Sequence, residues 1–351
     1  MVVTAWAGLT AALLGLGGPN DHGATRFEFI ETHMGSEFKV ILYSPDALTA
    51  RRASRAAFDR IAALDASFSD YNPESELMRL CDRAGDLAVK VSDDLFDILR
   101  LSRAMSERSG GAFDVTVGPL VRLWRRARRD RKMPSEENLA RARKLVSSSL
   151  MTLDPAAKTV RLARHGMKID LGGIAKGYAS DAAVKVLRAQ GISRSLVAGA
   201  GDIVVGDPPP GRTGWSIAVE GLGPGQGKPD LYLDLKNAAV STAGDAERFV
   251  EIGGRRYSHI VDPKTGLGVV DRCGVTVVAP DGATADALDT AAYILGPERG
   301  LALVESTAGA SAFIVRMTTE GLQTFETSRA HPLPRVQVPP SGPLDARANS
   351  R

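Results

Sequence analysis

The second half of the chain is a succession of short apolar runs broken by Gly and Pro, and nothing else in it constrains the fold as strongly. "TVRLA" (159–163), "SLVAGAGDIVVGD" (195–207), "WSIAVE" (215–220) and "LYLDLKNAAVST" (231–242) all read as strands. So do "RRYSHIVD" (255–262), "VTVVA" (275–279) and "SAFIVRM" (311–317). Near the start, "RFEFIETHMGSEFKVILYS" (26–44) alternates polar and apolar residues, which predicts a hairpin around Gly35. Helical spacing is concentrated early. Residues 46–66 carry Ala53, Ala57, Ile61 and Leu64 on one stripe, and a polar loop follows at 68–75. "SDDLFDILRLSRAMSERSGG" (92–111) opens on a Ser/Asp cap and stops at a double Gly, and "PSEENLARARKL" (134–145) starts another helix. Helices early and strands late predict an α+β fold in one domain, with a mixed, largely antiparallel sheet flanked by helices, over a doubly wound sheet.

The 351 residues are 44% hydrophobic, enough for a sizeable core. A net charge of +3 points to no particular partner. Much of the excess sits in "RLWRRARRDRK" (122–132), read as a solvated basic helix end or loop; no nucleic-acid partner is expected. Cys81 and Cys273 lie far apart without metal spacing and are read as two buried thiols. "VVTAWAGLTAALLGLGG" (2–18) resembles the apolar core of an export signal, though no Lys or Arg precedes it. Residues 1–22 are therefore read as a signal-like segment and 27–327 as the folded domain, with 329–351 a Pro-rich disordered tail. An exported, periplasmic or inner-membrane location follows, or a cytoplasmic one if the apolar segment is no signal.

Three segments carry chemistry. In "KIDLGGIAKGYASDAAVKVLRAQG" (168–191) a strand ends at Asp170, a Gly-rich turn follows, and Lys176 sits at the mouth of a helix that closes at Gly191. Neither GxxxxGK[ST] nor GxGxxG is present, so this is no P-loop and no dinucleotide fingerprint. Small residues there allow a ligand to approach the backbone, and free N–H groups at a helix start favour an anion. In "TADALDTAAYILG" (284–296) Asp286 and Thr290 are i and i+4 on one helix face, with Asp289 close by. Carboxylate and hydroxyl oxygens so arranged suit Mg²⁺, although acids near a helix start also serve the dipole. In "RRYSHIVDPKTG" (255–266) His259 sits near a strand end, where a histidine can act as a base or simply be half-buried.

Taken in order, "DLGGIAKGYASD", "GAGDIVVGDPPPG", "VSTAGDAERF", "RRYSHIVDPKTG" and "TADALDTAAYILG", with "THMGSEFKVILY", "FSDYNPESEL" and "AFDVTVGPLVRLW" ahead of them, resemble the ApbE-type FAD:protein FMN transferases. The resemblance runs from about residue 27 to 327. It implies Mg²⁺-dependent cleavage of the FAD pyrophosphate, transfer of FMN to a Thr hydroxyl of a target protein as a phosphoester, and release of AMP. The implied acceptor is a membrane or exported redox protein. By the same resemblance Asp286, Thr290 and the carbonyl of Gly173 would hold the metal. Asp170 and Lys176 would contact FAD. Met34, Tyr71, Ala112, Phe113 and Asp114 would line the rest of its site, with Tyr71 against the adenine, and Ile260 would touch it from the strand. His259 would be the catalytic base. Two departures stand out: "TAGDAER" carries Ala243 and Ala246 where the family has a hydroxyl and an aromatic ring, and Asp289 replaces a small residue. Water in place of Thr would make the chain an FAD pyrophosphatase, and loss of turnover an exported flavin-binding protein.

Overall fold

Alternation along the strands sorts the apolar side chains into two cores on opposite faces of one sheet. A computed structural model describes residues 23–219, 231–244, 249–330 and 332–336, together with the backbone of 346–348. The signal-like residues 1–22 and Ala246 lie outside the described residues. The chain opens with β1 (Thr25–His33), β2 (Ser36–Ser44), α1 (Ala47–Phe68), α2 (Glu76–Asp82) and β3 (Val89–Lys90). It continues through α3 (Asp93–Arg108), α4 (Gly118–Asp130), α5 (Glu136–Arg143), β4 (Met151–Asp154), β5 (Thr159–Leu162) and α6 (Ala175–Ala189). Then come β6 (Ser195–Gly199), β7 (Asp202–Val205), β8 (Trp215–Val219), β9 (Leu231–Leu235), β10 (Ala238–Gly244), β11 (Phe249–Ile252) and β12 (Arg255–Ser258). The last elements are β13 (Cys273–Ala279), α7 (Gly282–Leu295), α8 (Pro297–Glu305), β14 (Ser311–Thr318), β15 (Gly321–Glu326) and β16 (Ala346–Ala348).

The main sheet has eight strands in the order β1-β2-β6-β7-β10-β13-β14-β15. Every pairing in it is antiparallel; the one parallel strand pair described is β16 on β8, in a smaller sheet. On β2, Val40 and Leu42 face the helices while Ile41 faces the other way; on β13, Val275, Val277 and Ala279 face the helices and Val278 does not. The helical face is covered by α1, α3, α6 and α7. The opposite face is capped by Trp215, Ile217, Leu233 and Leu235 of the β8–β9 ribbon. This layering is what the period-2 pattern predicts for a sheet buried on both faces.

Local chemistry explains the ends. Met34 and Gly35 take positive φ, 51° and 67°, so two residues suffice to turn β1 into β2 with His33 opposite Ser36. Asp46, Ser75, Ser92, Ser135 and Asp281 each cap the following helix by accepting a backbone N–H from three residues on. Both cysteines are buried, as the sequence reading expected. Two expectations need correction. The basic run 122–132 forms the C-terminal part of α4 and the two residues after it, with Arg122, Arg126, Arg129, Arg131 and Lys132 exposed, as expected. It is not solvated throughout: Arg125 is half-buried, and Trp124 and Ala127, with Leu120 ahead of them, build a third core with α5 and the β11–β12 hairpin. Nor is the Pro-rich tail without structure throughout. Pro334 accepts the Asp234 N–H, and the Val336 N–H donates to Tyr232, so the tail adds a rung to β9. A strand edge needs only backbone groups to pair with, which a polar, Pro-rich segment still supplies.

Candidate active site

One cavity of about 710 Å³ receives every residue singled out in the sequence: Met34, Tyr71, Ala112, Phe113, Asp114, Asp170, Gly173, Lys176, His259, Ile260, Asp286 and Thr290. They arrive from positions more than two hundred residues apart, on three walls.

The first wall is where α6 starts beside α7. The two helices touch through Gly177 and Gly282, where a Cβ on either glycine would collide with the backbone of the other. That closeness lets Asp286 Oδ2 accept the Gly177 N–H at 3.1 Å. It also sets Gly173 against Thr290: a side chain at Gly173 would begin 2.9 Å from Thr290 Oγ1. Asp286 and Asp289 are 3% and 2% exposed on a helix whose other residues are small or apolar apart from Thr284, Thr290 and Tyr293. Lys176 forms an ion pair with Asp202, at the head of β7, and Ser241 of β10 lies within hydrogen-bonding reach of both Asp202 and Asp289. Burial and the Asp202 charge push the Asp286 carboxyl up to about 7. Burial, with Asp286 and Asp202 beside it, raises Asp289 well above the ordinary range. Burial works against the Lys176 charge, but Asp202, Asp286 and Asp289 outweigh it and hold the ammonium protonated. Three buried carboxylates against one lysine is a surplus of negative charge, which a dry site tolerates only with protons or a cation.

The second wall centres on Arg125 of α4. It bridges Asp70 and Asp170, the latter at 2.9 Å, and its guanidinium lies 4.3 Å from the centre of the Tyr71 ring. Asp170 also accepts the Gly172 N–H at 2.9 Å. Burial and the neighbouring Asp70 raise Asp170, and Arg125 pulls it back. Tyr71 is 76% exposed, so with Arg125 on one face of its ring it still offers a broad aromatic surface at the rim. Asp114 is occupied differently. It accepts from the Thr116 N–H at 2.9 Å and hydroxyl at 2.7 Å, and from the Ser148 N–H at 2.7 Å. Its carboxylate therefore builds the turn into α4, and Phe113 beside it is 4% exposed core. Met34, across the cavity, donates its N–H to Asp65 at 2.7 Å.

The third wall carries His259 and Ile260. The strand read through His259 ends one residue earlier, at Ser258. The Ser258 N–H donates to Val269, Val269 donates to Ile260, and the Ile260 N–H donates to Ser258 Oγ. His259 thus lies between two positions bonded to the same residue, and the chain bulges there toward the cavity. Trp124 Nε1 donates to the Gly266 carbonyl at 2.8 Å and ties this hairpin to α4, joining the second and third walls.

Asp70, Arg125, Asp202 and Ser241 are site residues that the sequence reading passed over. Arg125 had a usable signal: Val117, Val121, Arg125 and Arg128 recur at helical spacing and all line the cavity, beside the stripe Leu120, Trp124 and Ala127 that is buried.

The sequence model of the ApbE family matches residues 34–314. An FAD:protein FMN transferase of Treponema pallidum is 31% identical over 324 residues, spanning 88% of this chain and 89% of the relative. One of Escherichia coli K12 is 28% identical over 303 residues, 84% of each chain. Among solved structures, the flavin transferase ApbE of Vibrio cholerae superposes with a TM-score of 0.80 at 27% identity, covering 88% of this chain and 99% of that one. The apo flavinyl transferase ApbE of Pseudomonas stutzeri gives 0.79 at 29% identity, covering 90% and 98%. A match that spans the sheet, both helices of the acidic wall and the His259 hairpin makes the chain a member of the ApbE family.

Proposed function

We propose that the chain is an FAD:protein FMN transferase that moves FMN from FAD to a threonine hydroxyl of an acceptor protein and releases AMP. The observation that carries the reading is the meeting, in one cavity, of the acidic wall around Asp286, the Arg125–Tyr71 rim and His259. Relatives spanning most of the chain bear the name of that activity.

The residues fit a divalent cation. The buried wall has more carboxylates than lysines, one carboxylate oxygen of Asp289 has no hydrogen-bond partner among the described residues, and Gly173 leaves its backbone open against Thr290. Asp286, Thr290 and the Gly173 carbonyl would hold Mg²⁺, which when bound offsets charge that develops on a pyrophosphate as it breaks. The chain's own groups do the rest. Lys176, kept protonated by its carboxylate neighbours, presents a positive charge to a phosphate without needing to gain a proton. Arg125 fixes Asp170 and presents Tyr71, whose exposed ring face suits stacking with a base. His259 takes the proton of the acceptor hydroxyl as its oxygen bonds to the phosphorus on the FMN side and the bond to AMP breaks. The apolar segment 2–18 supports export of the chain to the compartment of membrane redox proteins, which N-terminal sequencing of the exported protein would check.

The test is incubation with FAD, Mg²⁺ and a candidate acceptor domain, read by in-gel flavin fluorescence and intact mass. The reading expects an adduct of FMN mass on a threonine, and at least about a hundredfold loss of rate in Asp286→Ala. Free FMN and AMP with no adduct on any acceptor would replace transfer by hydrolysis.

A further inference from the structure

Asp289 is an ionisable group in an expensive place. It is 2% exposed on a helix packed on all sides, it is not among the metal-holding residues named above, and its Oδ1 has no hydrogen-bond partner among the described residues. Its other oxygen faces Ser241 Oγ, which also faces Asp202. A serine hydroxyl has one proton, so it can donate to one of these carboxylates and not both. One carboxylate oxygen at Ser241 and one on Asp289 are therefore left without a positive partner. Lys176, the cation among the described residues that faces this group, is already paired with Asp202. Buried carboxylates left this way are strongly unfavourable unless they take up a proton or a positive charge joins them. With all three carboxyls ionised, Asp202, Asp286, Asp289 and Lys176 together carry −2, the amount one divalent cation neutralises.

We infer that Asp289 is an additional cation ligand, and that it lets this chain bind one divalent cation before any flavin arrives. The inference rests on the cation reading of the proposed function and deepens it. A Mg²⁺ site that relies on one or two carboxylates leans on substrate phosphates to complete its shell; a further protein carboxylate raises the ligand charge and removes that dependence. Loading in this chain is then ordered, cation first, and FAD meets an acidic wall already neutralised.

The experiment is titration of the flavin-free protein with Mn²⁺, free ion read by electron paramagnetic resonance, with Mg²⁺ as competitor. Wild type is expected to bind one Mn²⁺ per chain, displaced by Mg²⁺. Asp289→Asn, which keeps shape and one acceptor oxygen, is expected to weaken binding at least tenfold, and so is Asp289→Ser. Far-UV circular dichroism and melting establish that each variant is folded. Asp286→Asn runs alongside. Two results overturn the inference while leaving the cation reading standing: wild type that takes up Mn²⁺ only when FAD is present, or Asp289 variants within twofold of wild type while Asp286→Asn loses binding. Binding untouched by any of the substitutions overturns both.

Discussion

Arg125 holds two carboxylates that would otherwise repel each other at the rim of the cavity. Asp70 and Asp170 have side chains 15% and 12% exposed, and Arg125 is 25% exposed between them. Replacing it by alanine leaves a half-buried pair of like charges, a loss on the order of 2 to 3 kcal/mol. Arg125→Lys is expected to recover little, because an ammonium cannot span both carboxylates and also lie flat on the Tyr71 ring. Urea unfolding of the two variants measures the stability loss. Steady-state kinetics should show a several-fold rise in KM for FAD with a smaller change in kcat; a lysine variant indistinguishable from wild type in both would remove the bridging role. At this scale the site was only half legible in the sequence. Residues that sit in a distinctive local pattern, such as Asp286 and Thr290 one helical turn apart, announce themselves. Arg125 does not, because a run of seven Arg and Lys residues within 122–132 looks solvated until the neighbours that half-bury one of them are known. Asp202 was hidden in a Gly-rich strand run for the same reason: its partner Lys176 lies on another element.

Between elements, the acidic wall depends on how closely α6 and α7 approach. Gly177 and Gly282 are small because each faces the other's backbone, and the contact sets Asp286 onto the Gly177 N–H. Gly177→Ala should push the helices apart, cost on the order of 1 to 3 kcal/mol as an overpacked contact, and depress activity more than stability because Asp286 moves with α7. A second tie is Asp181, whose carboxylate accepts the N–H groups of Gly282 and Ala283 at 2.8 and 3.0 Å. Burial pushes Asp181 up to about 6, against the pull of those two donors. A carboxyl whose folded value lies above its unfolded value favours the protonated fold. Its contribution is whole below about pH 4 and is lost as pH rises through 6, by on the order of 2 to 3 kcal/mol. Relative to Asp181→Asn, which cannot ionise, wild type should therefore lose stability between pH 4.5 and 7.5, read as a shift in urea midpoint at each pH. An unchanged difference would mean the carboxylate is ionised throughout. The elements were the most legible part of the chain, since caps such as Ser92 and Asp281 and the period-2 runs are written locally. The end of β12 was misplaced because the bulge at His259 depends on Val269, a residue from the returning arm of the hairpin.

In the whole molecule, the two faces of the large sheet divide the work. The helical face and its loops build the cavity, whose lining residues run from Met34 to Ile294. The opposite face is closed by the β8–β9 ribbon, and the chain after Ala330 borders that ribbon on both edges. Arg335 pairs with Leu233 on β9, Ala346–Ala348 run parallel to β8, and Leu333 packs on the second core. This arrangement was illegible in the sequence: Pro, Arg and Ser say nothing of which strand edge a tail will meet. It separates stability from chemistry in a testable way. A chain ending at Ala330 keeps every cavity residue, so its rate of FMN transfer should stay within about twofold of wild type under conditions where it is folded. It should lose on the order of 1 to 3 kcal/mol of stability, through the apolar contacts of Leu333 and the backbone rungs on β9. With both edges of the ribbon uncovered it should also associate with itself as concentration rises, because unpaired strand edges template pairing with another chain. Melting curves and size-exclusion chromatography over a concentration series measure the two structural effects, and single-turnover transfer measures the third. A truncated chain that melts and elutes like wild type but transfers FMN slowly would assign the tail to the site.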